Sequence, residues 1–135
     1  MPRNLYVNLP VKDLARSVDF FEALDFSFNP KFTNENAACL VINERTGVML
    51  LVESYFAGFT NKPVAAARAS TETLLALSLD SRAEVDEFMA KALAAGATPR
   101  TEAKDYGFMY QHGFADPDGH QWEVFWMDEA QMPNG

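Results

Sequence analysis

The sequence predicts an α+β domain built from two β-α-β-β-β modules that share one core. The first observation is a strand-like alternation of apolar residues over 5–11, followed at once by apolar residues at helical spacing. The second is that the same plan begins again at residue 74, with the helix-capping residues Asp13 and Ser81 lying 68 positions apart. Each sheet would carry its helix on one face, and the two free faces, joined, would form a trough-like cavity in a curved mixed sheet.

Length, composition and charge exclude several classes of protein. A chain of 135 residues that is 48% hydrophobic buries one core and is too apolar to be disordered. Its 19 acidic against 11 basic residues argue against nucleic acid and anionic membranes as partners. A single cysteine excludes an intrachain disulfide and a cysteine-rich zinc site, and it fits a reducing compartment. Without a long apolar run, the expected location is the cytoplasm.

The first module opens with the strand LYVNLPV at residues 5–11, whose apolar positions alternate with Tyr6, Asn8 and Pro10. This period of two predicts one buried face, with the strand ending near Pro10 because proline cannot donate a ladder hydrogen bond. Asp13 follows as the expected N-cap, since its carboxylate can accept the free N–H groups of the first helical turn. The module therefore begins with a strand and a capped helix.

The rest of the first module consists of short strands and a packed aromatic segment. Strands are expected around 27–33, 37–43 and 48–53. A tight turn at 44–47 separates the last two, with Gly47 able to take a positive φ. Tyr55, Phe56 and Phe59 indicate a packed loop or a short helical turn. We expect the module to span about 1–60 and a linker to cover about 61–72.

The second module, about 73–128, repeats this plan. Its first strand is LLALSL at 74–79, and Ser81 with Glu84 forms an S-x-x-E capping box. Gly96 is a natural stop for the helix that follows. The turn sequence DPDG at 116–119 combines a proline that presets φ with a glycine that accepts a left-handed conformation. Strands are expected near 97–103, 106–115 and 120–127.

Three features occur together: the strand-cap-helix unit VNLPVKDLARSVDFFEAL, the DPDG turn, and the strand HQWEVFW after it. Together they resemble the vicinal oxygen chelate superfamily, which includes glyoxalase I, bleomycin and fosfomycin resistance proteins and extradiol dioxygenases. The resemblance implies the glyoxalase/bleomycin resistance/dihydroxybiphenyl dioxygenase fold for a single domain over 1–135. It also implies a homodimer.

In metal-dependent members of this family, four strand residues that face the trough bind a divalent ion. The resemblance places these positions at Tyr6, Leu50, Leu74 and Glu123. Leucine has no lone pair, and tyrosine ligates only as a phenolate, so we expect no metal at this site and no other cofactor. The alternative is a divalent ion held by an atypical set of ligands, namely Tyr6, Glu53, His112 and Glu123.

The expected ligand site is an apolar, aromatic pocket with a few polar groups. Its expected lining is Tyr6, Asn8, Leu50, Leu74, Tyr110, Glu123 and Phe125. Glu123 shares a strand face with Phe125, opposite Trp122, and serves as a polar anchor or general base, or else pairs with a neighbouring group. His112 is a hydrogen-bonded core residue or the other candidate for acid–base chemistry. Cys39 lies in an apolar strand and is expected to be a buried, unreactive thiol.

Three functions are compatible with these residues. The first is metal-free binding of a small organic ligand, as in bleomycin-resistance proteins, which sequester a cationic drug. The second is a metal-dependent lyase or dioxygenase of the glyoxalase I type. The third is a dimeric interaction module whose trough is filled by Tyr6, Leu50 and Leu74. Sequestration of a ligand needs no catalytic residue, which suits the missing metal ligands, and we therefore favour the first function. We expect Tyr55, Phe56 and Phe59 to contribute to the homodimer contact.

Overall fold

The computed structural model describes residues 2–131, and the chain divides into two compact units, the first ending at Ala66 and the second beginning at Ala67. The elements of the first unit are β1 (Leu5–Val11), α1 (Leu14–Ala23), β2 (Phe28–Asn29), β3 (Ala37–Asn43), β4 (Thr46–Val52) and α2 (Glu53–Ala57). Its four strands form one sheet in the order β1-β4-β3-β2. β1 pairs with β4 in parallel, and the other pairs are antiparallel.

The second unit repeats this topology. Its elements are β5 (Leu74–Ser78), α3 (Arg82–Ala94), β6 (Thr98–Asp105), β7 (Met109–Ala115) and β8 (Gln121–Met127). The strand order is β5-β8-β7-β6, with β5 parallel to β8 and the other pairs antiparallel. The α+β class and the two β-α-β-β-β modules are confirmed. Within residues 2–131, no helix combines the length and the apolar character that crossing a bilayer requires.

Helix α1 lies on one face of the first sheet and closes its core. Asp13 caps the helix as predicted, because its carboxylate accepts a hydrogen bond of 3.1 Å from the backbone N–H of Arg16. Phe20 and Phe21 are buried, and their rings meet edge to face with centroids 5.0 Å apart. Aromatic pairs of this kind add to the free energy gained from burial, so the apolar stripe of the helix fixes which face of the sheet is covered.

Helix α3 covers the second sheet in the same way. The hydroxyl of Ser81 accepts a hydrogen bond of 3.1 Å from the N–H of Glu84, as predicted. The Glu84 carboxylate accepts a hydrogen bond from the N–H of Asp80, one residue before the cap, at 2.9 Å. Gly96 ends the helix with φ +105°, a conformation that side chains with a Cβ rarely adopt. The capping box and the glycine stop therefore set both ends of this helix.

Two local predictions for the first unit are wrong. The strand expected over 27–33 is only Phe28–Asn29, because Pro30 has no N–H and the Asn29 side chain accepts from the N–H of Lys31, which favours a 3-10 turn over Pro30–Phe32. Gly47 does not take a positive φ, since it lies within β4. A Cβ at Gly47 would come within 3.1 Å of the Tyr6 ring, so this glycine gives that ring room.

The DPDG turn is built around one buried carboxylate. Asp116 Oδ1 accepts hydrogen bonds from the N–H groups of Asp118 and His120, both at 3.0 Å. Its Oδ2 accepts from Trp122 Nε1 at 3.1 Å. Gly119 takes φ +91°, as the sequence predicts. Asp116 thereby joins the turn to β8 and to the core beneath α3.

Candidate functional site

The face of the first sheet opposite α1 carries a cavity. In register, Asn8 pairs with Met49 and Pro10 with Leu51, and paired residues on neighbouring strands share a face. The cavity has a volume of about 600 Å³, within the range of about 300–1,000 Å³ that is typical of small-molecule sites. Its lining consists of Asn8, Lys31, Phe32, Asn34, Ala37, Met49, Leu51, Tyr55, Phe56, Phe59 and Thr60.

Aromatic side chains form much of the cavity wall. Tyr55 and Phe56 lie on the short helix α2, and Phe59 follows it, with the rings of Tyr55 and Phe59 edge to face at 5.1 Å. Phe59 is 70% exposed and Phe32 51% exposed, although both are apolar. Tyr6 borders the site, because its ring meets the Phe32 ring at 6.5 Å. Exposed rings around a concave surface are typical of sites that bind flat organic molecules.

One cationic side chain reaches the cavity, and the turn before β3 positions it. Lys31 lies in the 3-10 turn, where Asn29 Oδ1 accepts from its backbone N–H at 3.0 Å. Thr33 fixes the end of that turn, since its hydroxyl donates to the carbonyl of Asn29 at 2.8 Å and accepts from the N–H of Cys39 at 3.1 Å. The lysine is therefore presented by an ordered turn of the chain.

Sequence reasoning missed most of this cavity. It named Asn8, which lines the site, and Tyr6, which borders it, and it singled out the three aromatic residues of 55–59 for a different role. It did not name Lys31, Phe32, Asn34, Met49, Leu51 or Thr60. The proline at position 30 was the one signal available for Lys31 and Phe32, because a proline within a run of strand residues indicates a turn. Met49 and Leu51 could be found only from the strand register.

Leu50 does not lie on the face of Tyr6 and Asn8. It pairs in register with Leu9, is fully buried and belongs to the core beneath α1. The expected position was therefore wrong by one residue, and a slip of one residue along a strand moves a side chain to the opposite face. Leu50 cannot line or fill the open face of this sheet, and Met49 and Leu51 take that place.

In the second unit, Glu123 lies on the sheet face away from α3 and is paired. It shares this face with Ala76, while Phe125 pairs with Ser78 on the same side, as the alternation along the strand predicts. Glu123 Oε1 lies 3.7 Å from Nη1 of Arg100. Gly113 makes room for this contact, because a Cβ there would come within 2.7 Å of the same Nη1. The sequence analysis offered Glu123 either as a ligand anchor or general base, or as a carboxylate paired with a neighbouring group. The structure shows the Glu123 carboxylate beside the Arg100 guanidinium.

Tyr110 and His112 lie on the opposite side of that sheet. In register they pair with Trp126 and Val124, whereas Glu123 pairs with Gly113. The Tyr110 hydroxyl donates to Asp86 of α3 at 2.6 Å, and this hydrogen bond raises the pKa of Tyr110. The expectation that Tyr110 and Glu123 line one ligand face is wrong. His112 likewise cannot act together with Glu123 on one face. Leu74 remains exposed on the Glu123 face.

The residues at the family's metal positions do not fit a divalent ion. Leu50 and Leu74 have no lone pair, and the Glu123 carboxylate lies beside a guanidinium. The atypical set fails too, because His112 and Glu123 lie on opposite faces of one sheet. Across the described part of the chain, no three or more His, Cys, Asp and Glu side chains gather into a group that could hold a metal ion.

Comparison with known proteins agrees with this fold. The model of the Glyoxalase/Bleomycin resistance protein/Dioxygenase superfamily matches residues 4–124. A hypothetical protein from S. aureus is 26% identical, with a TM-score of 0.79 over 93% of this chain and 94% of its own. A glyoxalase-related enzyme from Fulvimarina pelagi is 22% identical, with a TM-score of 0.80 over 100% of this chain and 94% of its own.

A third similar structure is that of TnmS3, an antibiotic binding protein from Streptomyces sp. CB03234. It is 19% identical, with a TM-score of 0.67 over 94% of this chain and 97% of its own. At 19% identity, this similarity shows a shared fold and nothing about function. None of the curated proteins matches the chain significantly.

Proposed function

The chain belongs to the Glyoxalase/Bleomycin resistance protein/Dioxygenase superfamily, and we propose that it binds a small organic ligand in the cavity of its first unit. One observation carries the proposal: exposed aromatic rings of Phe32, Tyr55 and Phe59 surround a concave space of about 600 Å³. Side chains of this kind gain free energy when a flat ligand covers them. The similar fold of TnmS3, an antibiotic binding protein, also supports the proposal.

Binding, rather than a reaction, is the proposed activity of this cavity. Its lining holds no His, Cys, Asp or Glu, so the residue types that most often act as general bases or nucleophiles are not among it. The titratable groups that line it are Lys31 and Tyr55. We further propose that the chain works as a homodimer in the cytoplasm, a location that its single cysteine supports.

The test is binding of small aromatic compounds by the intact chain and by a variant of the cavity wall. Phe59→Ala is expected to weaken the best ligand about tenfold, because it removes one stacking ring worth roughly 1.5 kcal/mol. Isothermal titration calorimetry measures the Kd, and ¹⁵N NMR shifts around Asn8 and Phe56 report where the ligand binds. The variant should stay folded, since the Phe59 ring is largely exposed.

Tyr106→Ala is the matched control, because Tyr106 is an exposed aromatic residue of the second unit, at 49%. Its Kd should stay within about twofold of the wild-type value. Equal losses from the two variants would contradict a site in the first unit. Failure of every compound to bind below about 1 mM would reject the function itself.

The proposal also predicts a chain without the family's divalent ion. Protein grown with Zn, Ni, Mn and Fe available, then gel-filtered at neutral pH, should carry well below one ion per chain by elemental analysis, because the donor set does not fit. Treatment with EDTA should leave the ligand Kd unchanged. About one divalent ion per chain, lost together with ligand binding, would overturn this part of the proposal.

A further inference from the structure

We infer that the cavity of the first unit selects flat aromatic anions, such as aryl carboxylates and phenolates, over cations. The inference rests on the proposed binding function and adds the charge class of its ligand. This charge class differs from that of the cationic drug that bleomycin-resistance proteins, which this sequence resembles, sequester. The charges and hydrogen-bond donors of the cavity itself carry the inference.

Most of the acidic charge of the chain is carried by residues outside the first unit. Residues 1–66 contain six basic and seven acidic residues, for a net charge of −1, whereas the remaining residues carry −7 of the total of −8. Within the lining, Lys31 is the one group that is charged at neutral pH. A cationic ligand would therefore meet a like charge and no carboxylate, while an anion would meet an ammonium group.

Asn34 presents a donor to the cavity rather than an acceptor. Its Oδ1 accepts from the N–H groups of Asn36 at 2.8 Å and Ala37 at 3.1 Å. An N–H group can donate only to the oxygen of an amide, so these two bonds assign the oxygen and leave the NH₂ group as the other end of the side chain. Asn34 lines the cavity, and its NH₂ group can donate two hydrogen bonds.

Thr60 also offers a hydrogen-bond donor to the cavity. Its hydroxyl oxygen accepts from the N–H of Lys62 at 3.2 Å, and its own hydrogen is then available to donate. Lys31 adds an ammonium group with three donors and no acceptor. Lys31, Asn34 and Thr60 can thus donate hydrogen bonds at the cavity, which suits the oxygens of a carboxylate or a phenolate.

Three probes that differ only in one substituent test this selection: 2-naphthoate, 2-naphthalenemethanol and 2-naphthylmethylammonium. Each is titrated into the intact chain at pH 7 and about 50 mM salt, where ion pairs are weakly screened. We expect the carboxylate to bind about tenfold more tightly than the ammonium, with the alcohol between them. Raising the salt concentration should weaken naphthoate more than the alcohol.

The variant Lys31→Gln tests whether the Lys31 ammonium group contributes to the binding of naphthoate. It should weaken naphthoate about fivefold, as expected for loss of an exposed ion pair, and leave the alcohol within twofold. Lys62→Gln is the matched control, because it makes the same change of charge in the same unit at a residue outside the lining. Both lysines are exposed, so both variants should keep the wild-type Tm.

The outcomes separate the inference from the function beneath it. Equal Kd values for the three probes, or preference for the ammonium, would overturn the anion selection and leave the binding function standing. Equal losses in Lys31→Gln and Lys62→Gln would overturn the role of Lys31. Failure of all three probes, together with failure of the wider aromatic panel, would reject the binding function and this inference with it.

Discussion

Asp116→Ala is expected to lower the free energy of unfolding by about 3 kcal/mol or more. The carboxylate is 5% exposed and accepts three hydrogen bonds, from the N–H groups of Asp118 and His120 and from the indole of Trp122. Alanine would remove the acceptor of all three hydrogen bonds at the edge of the core, and loss of its partner by a buried polar group costs about 1–3 kcal/mol. Urea unfolding followed by tryptophan fluorescence measures the loss.

Asp116→Asn separates charge from hydrogen bonding at this position. Burial raises the pKa of Asp116, although His120 and the N–H donors act in the opposite direction. Asparagine removes the buried charge and keeps one oxygen for the two backbone N–H groups, but it turns an NH₂ group toward the Trp122 indole. We expect a loss of roughly 1–2 kcal/mol, smaller than that of the alanine variant.

The control is Asp19→Ala, which removes an exposed carboxylate from α1. Its effect should stay within about 0.5 kcal/mol, as is usual for surface substitutions. If Asp116→Ala were no more destabilising than Asp19→Ala, the DPDG carboxylate would not hold the turn to the core.

Gly119→Ala is expected to destabilise the second unit by about 2–4 kcal/mol. Two costs act together at this position. The residue has φ +91°, which strains any side chain with a Cβ. The new Cβ would also lie 3.0 Å from the backbone N and Cα of Arg68, which cannot move freely because the Arg68 guanidinium donates to the carbonyl of Pro117.

Gly96→Ala isolates the first of these costs. Gly96 has a comparable φ of +105°, but nothing lies within 4 Å of the position that its Cβ would take. It should lose only about 1 kcal/mol by the same urea measurement. The difference between the two variants then measures the steric conflict with Arg68, and losses of equal size would show that no such conflict exists.

The features that the sequence predicted well are those that depend on neighbouring residues. The caps at Asp13 and Ser81 and the glycine of the DPDG turn were all predicted correctly, because each hydrogen bond or φ angle is set within about four residues. The 68-residue repeat then carried the topology of the first unit over to the second. Local chemistry and one internal duplication were therefore enough for the fold class.

The candidate site was predicted less well, because it depends on pairing between distant strands. Leu50 and Met49 are adjacent in sequence, so their side chains point to opposite faces of the sheet. Only the register of β4 on β1 decides which of the two faces the cavity. Tyr110 was wrongly predicted to share a face with Glu123, because the register of β7 on β8 is likewise not given by the sequence. The contact of Arg100 with Glu123 depends on a gap left by Gly113, and no local pattern of the sequence indicates it.

The position of Cys39 beside Gly47 allows opening of the first unit to be followed by thiol chemistry. The thiol is buried close to the space that Gly47 leaves, 3.3 Å from the position of the missing Cβ, and burial raises the pKa of Cys39. Alkylating reagents attack thiolates that solvent can reach, so this thiol reacts when the sheet around it opens. Because the chain holds one cysteine, the rate of its alkylation measures how often the unit that carries the cavity opens.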